Sequence, residues 1–397
     1  MVQMNNLPKT LLLVLVACLP LVAAAQRPAA KVAEWQGTVD LVLGTEDDEH
    51  ATFSFVTGLA LLADGRLVVA DWDERRVHVY TATGRHLFDI GGEGGGPGEF
   101  RKPCCMRMLG DGTLLIGDPQ ANRYNRYRVG PDRALSIGTL TMRGGVMIDP
   151  HGAAPTRMSA NRFARLMTVM GDCRSEFAVE QIDSLGAPAR AFTIVAPPGD
   201  SLALFVNRTE QPRGRRSCSF YPMPYGAKYL LAFSPAGDFA RAISSRYDIE
   251  WRSADGTLRT RIARSGEQVT PFTADERQQI ARRLDYVRRE YKGPRRVVAP
   301  GARAPISSLL FDELNRLWVV RSTPAQAPGA ADVYDASGRQ VARVTWPAGY
   351  PLGASDLATS AALFVVTSDS SDRRSPPNPG ARNRSRRPPS TLPSRPS

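Results

Sequence analysis

The 397-residue chain is poor in the residues that most catalysis uses. It has four histidines, His50, His78, His86 and His151, and neither H-E-x-x-H nor an acid-rich metal loop contains them. It has no G-x-S-x-G, and its glycine run 91–98 lacks the Gly-Lys-Ser/Thr ending of a phosphate loop. Hydrolase chemistry of these kinds is therefore not expected, nor is any cofactor or metal. Long apolar runs are lacking after the first 25 residues, and crossing a bilayer takes about 20 apolar residues. Lysine is scarce, five of 51 basic residues, the habit of a GC-rich coding region.

The start and finish of the chain differ from its body. Lys9, the apolar stretch Leu11 to Val22 broken by Pro20, and Ala23-Ala24-Ala25 read as a secretory signal over residues 1–25, cut after Ala25. Leu15-Val16-Ala17-Cys18 offers a rival lipoprotein reading, in which Cys18 is lipidated. Either way export is expected, to the periplasm or beyond, with membrane attachment only through Cys18. Residues 372–397 hold seven Arg and one Asp, half of the net charge of +12, among Pro and Ser. Such a segment cannot bury a core, so a disordered tail is expected. The rest carries no basic stripe, which excludes a nucleic-acid partner.

Four cysteines follow the signal: Cys104, Cys105, Cys173 and Cys218. Export permits disulfides, and four cysteines allow three pairings. Neighbours on a strand point to opposite faces, so at most one of Cys104 and Cys105 is expected to look inward. Zinc is disfavoured, because no histidine lies near these four.

Residues 26–371 repeat. Val56 to Leu62, the turn Asp64-Gly65, Arg66 to Ala70, Arg76 to Tyr80, a Thr83-Gly84 turn and Arg85 to Ile90 read as four antiparallel strands, with Asp-Gly as a tight primed hairpin turn. Asp111-Gly112 and Leu114-Leu115-Ile116 restart the pattern, and Asp118 stands where Asp71 stood. Closing hairpins recur at Val179 to Arg190, Trp251 to Ile262 and Tyr334 to Val344. Repeats of this length, four strands each, are the signature of a propeller. A sixth blade is expected where Val39 to Leu43 meets Leu363 to Val366, closing the ring and removing sheet edges.

Leu67-Val68-Val69-Ala70-Asp71, Arg76-Val77, Tyr80, Gly84 and the string Gly91 to Phe100 before Pro103 resemble the NHL-repeat six-bladed propellers of bacterial exported proteins. The resemblance is sharp over residues 35–135 and fainter to about 367. It implies an all-β, six-bladed fold. The sequence departs from the pattern after Val366, where one further strand is due and the Arg/Pro/Ser tail begins.

Several motifs have a plainer structural reading. The glycines 91–98, with Gly98, are expected to connect two blades, with Phe100 wedged between them. Asp71 and Asp118 recur at one repeat position, as carboxylates that tie down a loop by accepting backbone N–H groups do. His78 alternates with Val77 and Val79 and reads as an outer-face residue; His151, in a loop, has no evident partner. Thr273 to Lys292 is a helix with Glu276 completing a capping box, Gly293-Pro294 stopping it, and Ile280, Leu284, Val287 and Tyr291 on one face. Arg282, Arg283, Arg288 and Arg289 then form a solvated face. Asn207-Arg208-Thr209 fits a glycosylation sequon that is incidental in a bacterial protein.

The long inserts, Thr141 to Ser159, Ala196 to Ser217 and Ser265 to Pro305, all fall in connections between blades and so build up one face of the disc. A monomer is expected that binds a protein, glycan or small polar ligand on that face. Loop position singles out Trp72, Arg76, Asn122, Arg123, Arg126, Trp318 and Arg321, since aromatic and guanidinium groups suit polar or anionic ligands. The alternatives are a propeller enzyme with a channel metal, lactonase- or lyase-like, and a structural envelope protein.

Overall fold

The computed structural model describes residues 32–39, 41–43, 53–109, 111–141, 223–234, 236–267, 270–290, 299–350 and 352, and strand backbones between 156 and 222 and at 357–364. The signal segment with Cys18, His50, His151, Cys173 and the tail lie outside the described residues.

After a short strand β1 (Ala33–Gln36), the chain forms four-stranded antiparallel meanders. The first comprises β2 (Val56–Leu61), β3 (Leu67–Asp71), β4 (Arg76–Tyr80) and β5 (His86–Ile90). The second comprises β6 (Cys104–Met108), β7 (Thr113–Asp118), β8 (Arg123–Val129) and β9 (Ala134–Thr141). Backbone alone describes β10 (Thr156–Ser159), β11 (Arg162–Gly171), β12 (Arg174–Asp183) and β13 (Pro188–Val195), Ile194 apart, and the hairpin β14 (Leu204–Glu210) and β15 (Arg216–Pro222). Then come β16 (Tyr229–Phe233), β17 (Phe239–Ile243), β18 (Asp248–Arg252) and β19 (Leu258–Ala263), the helix α1 (Ala274–Glu290), and β20 (Ile306–Phe311), β21 (Leu317–Arg321), β22 (Gly329–Tyr334) and β23 (Gln340–Trp346). A two-stranded piece, β24 (Leu357–Ala358) and β25 (Leu363–Phe364), follows. The first strands adjoin in sequence, β2 to β6, β6 to β10, β10 to β16 and β16 to β20. That is the arrangement of a β-propeller, in which each blade covers its neighbour's face.

Four blades are described with their side chains, not six. Among the described residues the N-terminal segment does not complete a sixth. Instead β1 adds to the outer edge of β23 in parallel, Trp35 opposite Val344. Val39 and the described residues up to Leu43 are not a strand. Leu41 and Leu43 rest over the β4–β5 turn, where a Cβ on Gly84 would lie 2.8 Å from Leu41 Cδ1. An outer edge with free N–H and C=O groups and an apolar neighbour, Trp346, takes up the first available strand; Gly37 N–H extends the pairing by donating to Thr345 O.

The second strands explain the patterning. β3 and β7 are buried along their whole length, because a mid-blade strand is covered on both faces, so their sequences run apolar without alternation. The first two blades share a core that includes Val68, Val77, Ile90, Phe100, Leu114, Ile116 and Tyr127. Phe100, fully buried, anchors the glycine run: its N–H donates to Gly92 O, and Gly94 N–H donates back to Phe100 O. A Cβ on Gly91 (φ 68°) would stand 2.4 Å from Gly98 O, so that crossing requires glycine.

The hairpin turns are not the primed type. Within 63–65 only Gly65 has positive φ (86°), Gly65 N–H donates to Leu62 O, and Leu62 N–H donates to Arg66 O. That is a three-residue turn ending in a left-handed glycine. It is favoured here because Asp64 Oδ1 accepts the Arg66 N–H, as Asp111 does for Thr113 and Asp255 for Thr257.

Cys104 and Cys105 are bonded to each other, and both are buried. The expectation that only one would face inward assumed a regular strand; the β6–β7 register shifts between Cys104 and Arg107, and Cys105 has φ 51°. The helix begins with the capping box: Glu276 N–H donates to Thr273 Oγ1, and Thr273 N–H donates to Glu276. Ile280 and Val287 are buried, and Arg282, Arg288 and Arg289 are exposed. Arg303 clasps Glu276 in a buried ion pair and ties the helix to the following strand. Among the described residues no helix is long and apolar enough to cross a membrane.

Candidate functional site

One repeat position links the blades chemically. Asp71 closes β3 opposite Val56 and accepts the N–H groups of Ser54, Phe55, Asp73 and Glu74. Asp118 closes β7 and accepts those of Arg101 and Lys102. In the next blade described with its side chains Ser244 follows β17, and its Oγ accepts the Lys228 N–H. In the last, Arg321 closes β21 opposite Ile306. The residue matching Phe55 there is Pro305, which has no N–H to give; the tie survives through the backbone, Ser322 N–H donating to Pro305 O. Relieved of loop-tying, this position carries a cation.

The Arg321 guanidinium turns to the seam between the blades β16–β19 and β20–β23. It pairs with Glu267 and lies 3.5 Å from Asp332 Oδ2. Arg264, which follows β19, bonds Asp332 Oδ2 at 3.0 Å and Gln340 at 2.8 Å. Tyr247 lies beneath the two: the Arg264 and Arg321 guanidinium carbons stand 4.6 and 5.1 Å from its ring centre. Such cation–π contact fixes both forks in orientation. The Tyr247 hydroxyl donates to Asp332 Oδ2 and meets the Tyr334 hydroxyl, each at 2.8 Å. Arg343 Nε lies 3.6 Å from the other Asp332 oxygen.

Burial pushes the Tyr247 phenol far above its ordinary value, with Asp332 adding to the effect, so it stays protonated and donates. The hydrogen bond from Arg321 holds the Glu267 carboxyl below its ordinary range. Above this network lies an open cleft of about 530 Å³ lined by Ala263, Arg264, Ser265, Gly266, Glu267 and Arg321. It opens where β21 and β19 end, and α1 follows in the same connection. Both guanidinium forks border the cleft and are held by internal partners, Arg321 by Glu267 and Arg264 by Asp332 and Gln340.

The other expected residues fall elsewhere. Trp72 is half-buried beside Lys102, whose Nζ is 5.6 Å from the indole. Arg76 is exposed and reaches Asp89 Oδ2 at 3.3 Å. Asn122, exposed, takes the left-handed cap of a 3-10 turn (Pro119–Ala121). Arg126 lies within β8 between Leu115 and Gly138. Arg123 grips the carbonyls of Gly95, Gly96 and Glu99, since that glycine loop leaves its own carbonyls without strand partners. Trp318 is not on a loop face but 3% exposed within β21, its Nε1 donating to Asp312.

A second polar cluster was missed. His78 is buried, not an outer-face residue, and its Nδ1 lies 2.8 Å from Asp89 Oδ1, as does His86 Nε2. Its ring meets those of Phe53, Tyr80 and His86 at centroid distances of about 6 Å. The hydrogen bond with His78, then that with His86, lowers the Asp89 carboxyl well below its ordinary range. Among the described residues this is the one His/Cys/Asp/Glu group of three or more able to hold a metal ion.

No family model matches the chain, and no curated protein does. Solved structures of similar shape include a Bacteroides fragilis protein inferred to be exported, at 11% identity, covering 80% of each chain with a TM-score of 0.39. A protein of unknown function from Bacteroides caccae has 10% identity, covers 73% of this chain and 86% of its own, and scores 0.35. Virginiamycin B lyase from Staphylococcus aureus has 10% identity, covers 81% and 92%, and scores 0.34. At these values none bears on ligand or activity, and the chain's architecture rests on its own strands as a β-propeller.

Proposed function

We propose that the chain is an exported binding propeller that captures an anionic ligand, an acidic glycan or a small carboxylate-bearing molecule, in the cleft lined by Arg264, Glu267 and Arg321. The observation that carries this reading is Arg321, a cation at the repeat position where Asp71 and Asp118 tie loops. Glu267 already occupies its fork, so a carboxylate suits the place; a ligand acid displaces Glu267, whose neighbour Gly266 (φ 75°) gives the turn its shape. The leader-like residues 1–25 support export. NHL-type kinship remains part of this proposal, on the residues that resemble that family. The group able to hold a metal lies on an outer hairpin, away from the first strands, and so lends the channel-metal enzyme no support.

Calorimetric titration with an oligogalacturonate and with its neutral galactose counterpart tests the reading. The acidic sugar is expected to bind, and Arg321→Ala and Arg264→Ala are each expected to weaken it about tenfold or more, the effect of removing a hydrogen bond to a charged group. Equal binding of the two sugars, no binding of either, or wild-type affinity in both variants refutes it.

A further inference from the structure

We propose that His78, His86 and Asp89 form a site for one divalent transition-metal ion of the zinc class on the outer hairpin of the first blade. The sequence pattern suggested no metal there. His86 and Asp89 are three residues apart and on a regular strand face opposite ways. The β4–β5 ladder, however, slips between Val79 and Tyr80: His78 pairs with Asp89, Val79 with Phe88, and Tyr80 with His86. One extra residue on β5 turns His86 to the face of His78 and Asp89.

The three donors then converge, all within 4.8 Å of one another, with both imidazoles aimed at one carboxylate oxygen. A tetrahedral ion with bonds of about 2.0–2.2 Å spaces its ligands roughly 3.4 Å apart. Small outward shifts of the two 2.8 Å contacts therefore admit it. Two imidazoles and a carboxylate are a borderline-soft N/O set, which suits zinc and leaves a fourth position for water. Arg76 engages the other Asp89 oxygen and leaves Oδ1 to the metal.

The independent sign is the far nitrogen of His78. The residue is 6% exposed, and its Nε2 is buried without a hydrogen-bond partner, 3.5 Å from Glu74 Oε2. In the neutral tautomer that donates from Nδ1 to Asp89, Nε2 presents a bare lone pair to a carboxylate, two acceptors facing each other. A metal on Nδ1 moves that proton to Nε2, where Glu74 accepts it. This is the carboxylate–histidine–metal relay that orients metal-binding histidines.

Titration of the metal-free full chain with Co²⁺, followed by visible absorption, and with Zn²⁺, followed by calorimetry, tests the site. One equivalent of each is expected, with d–d bands of an N/O site and no thiolate charge-transfer band. His86→Gln and Asp89→Asn are expected to abolish it with unchanged circular dichroism, and Glu74→Gln to weaken it by about 10–100-fold. Zn²⁺ is also expected to protect His86 from carbethoxylation in the wild-type chain, which keeps the test open should a variant fail to fold. Absent uptake, a thiolate band, unprotected His86, or full uptake by both ligand variants overturns the proposal and leaves a purely hydrogen-bonded trio.

Discussion

Replacing Arg321 by alanine removes the cation shared by Glu267 and Asp332 across the seam of two blades. The Glu267 side chain is 18% exposed and that of Asp332 3%, so the pair lies between a surface bridge and a buried one. Surface pairs are worth about 0–1 kcal/mol and broken buried pairs cost about 3–5. Asp332 keeps Arg264 and Tyr247, while Glu267 keeps only Arg264 Nη1 at 3.6 Å among its ion pairs. The expected loss is therefore about 2 kcal/mol at pH 7, roughly a thirtyfold change in the folding constant. Urea unfolding at constant slope reads it as a lower midpoint. The dependence on pH carries the sign. Arg321 lowers the folded-state pKa of Glu267, so its contribution is complete above the unfolded value of about 4.3 and fades as pH falls through the lower folded value. The gap between wild type and variant should then shrink from pH 7 to about pH 3. A gap below about 0.5 kcal/mol, or one that stays constant with pH, refutes the coupling of Arg321 to Glu267.

Asp71→Ala strips the partner from four backbone N–H groups and is expected to cost on the order of 3 kcal/mol or more, measured by chemical denaturation. Phe100→Ala opens a cavity in the core of the first two blades, an expected loss of about 3–5 kcal/mol in the same assay. Tyr247→Phe and Asp332→Asn should be non-additive in a double-mutant cycle by at least about 0.5 kcal/mol, since they share one hydrogen bond. Peptide mapping without reductant should find Cys104 and Cys105 in one tryptic peptide, Lys102 to Arg107, lighter by two hydrogens than its reduced form.

The sequence by itself determined the meanders. Asp-Gly turns, unbroken apolar second strands and the Thr273–Glu276 cap are local signals, and local backbone preferences act wherever they occur. Asp71 and Asp118 were legible as loop ties because their repeat position and short carboxylate admit little else. What the tertiary structure alone decided depends on register and on neighbours distant in sequence. One bulge brings His86 round to Asp89, and a shifted ladder joins Cys104 to Cys105. An open outer edge takes β1 where a sixth blade was expected. Trp318 and Arg123 resemble ligand-binding residues as letters, yet one is buried in a blade and the other holds a glycine loop. Arg321 alone of the expected residues lines the cleft, because its partners Glu267 and Asp332 come from elements 54 and 11 residues away that only packing brings together.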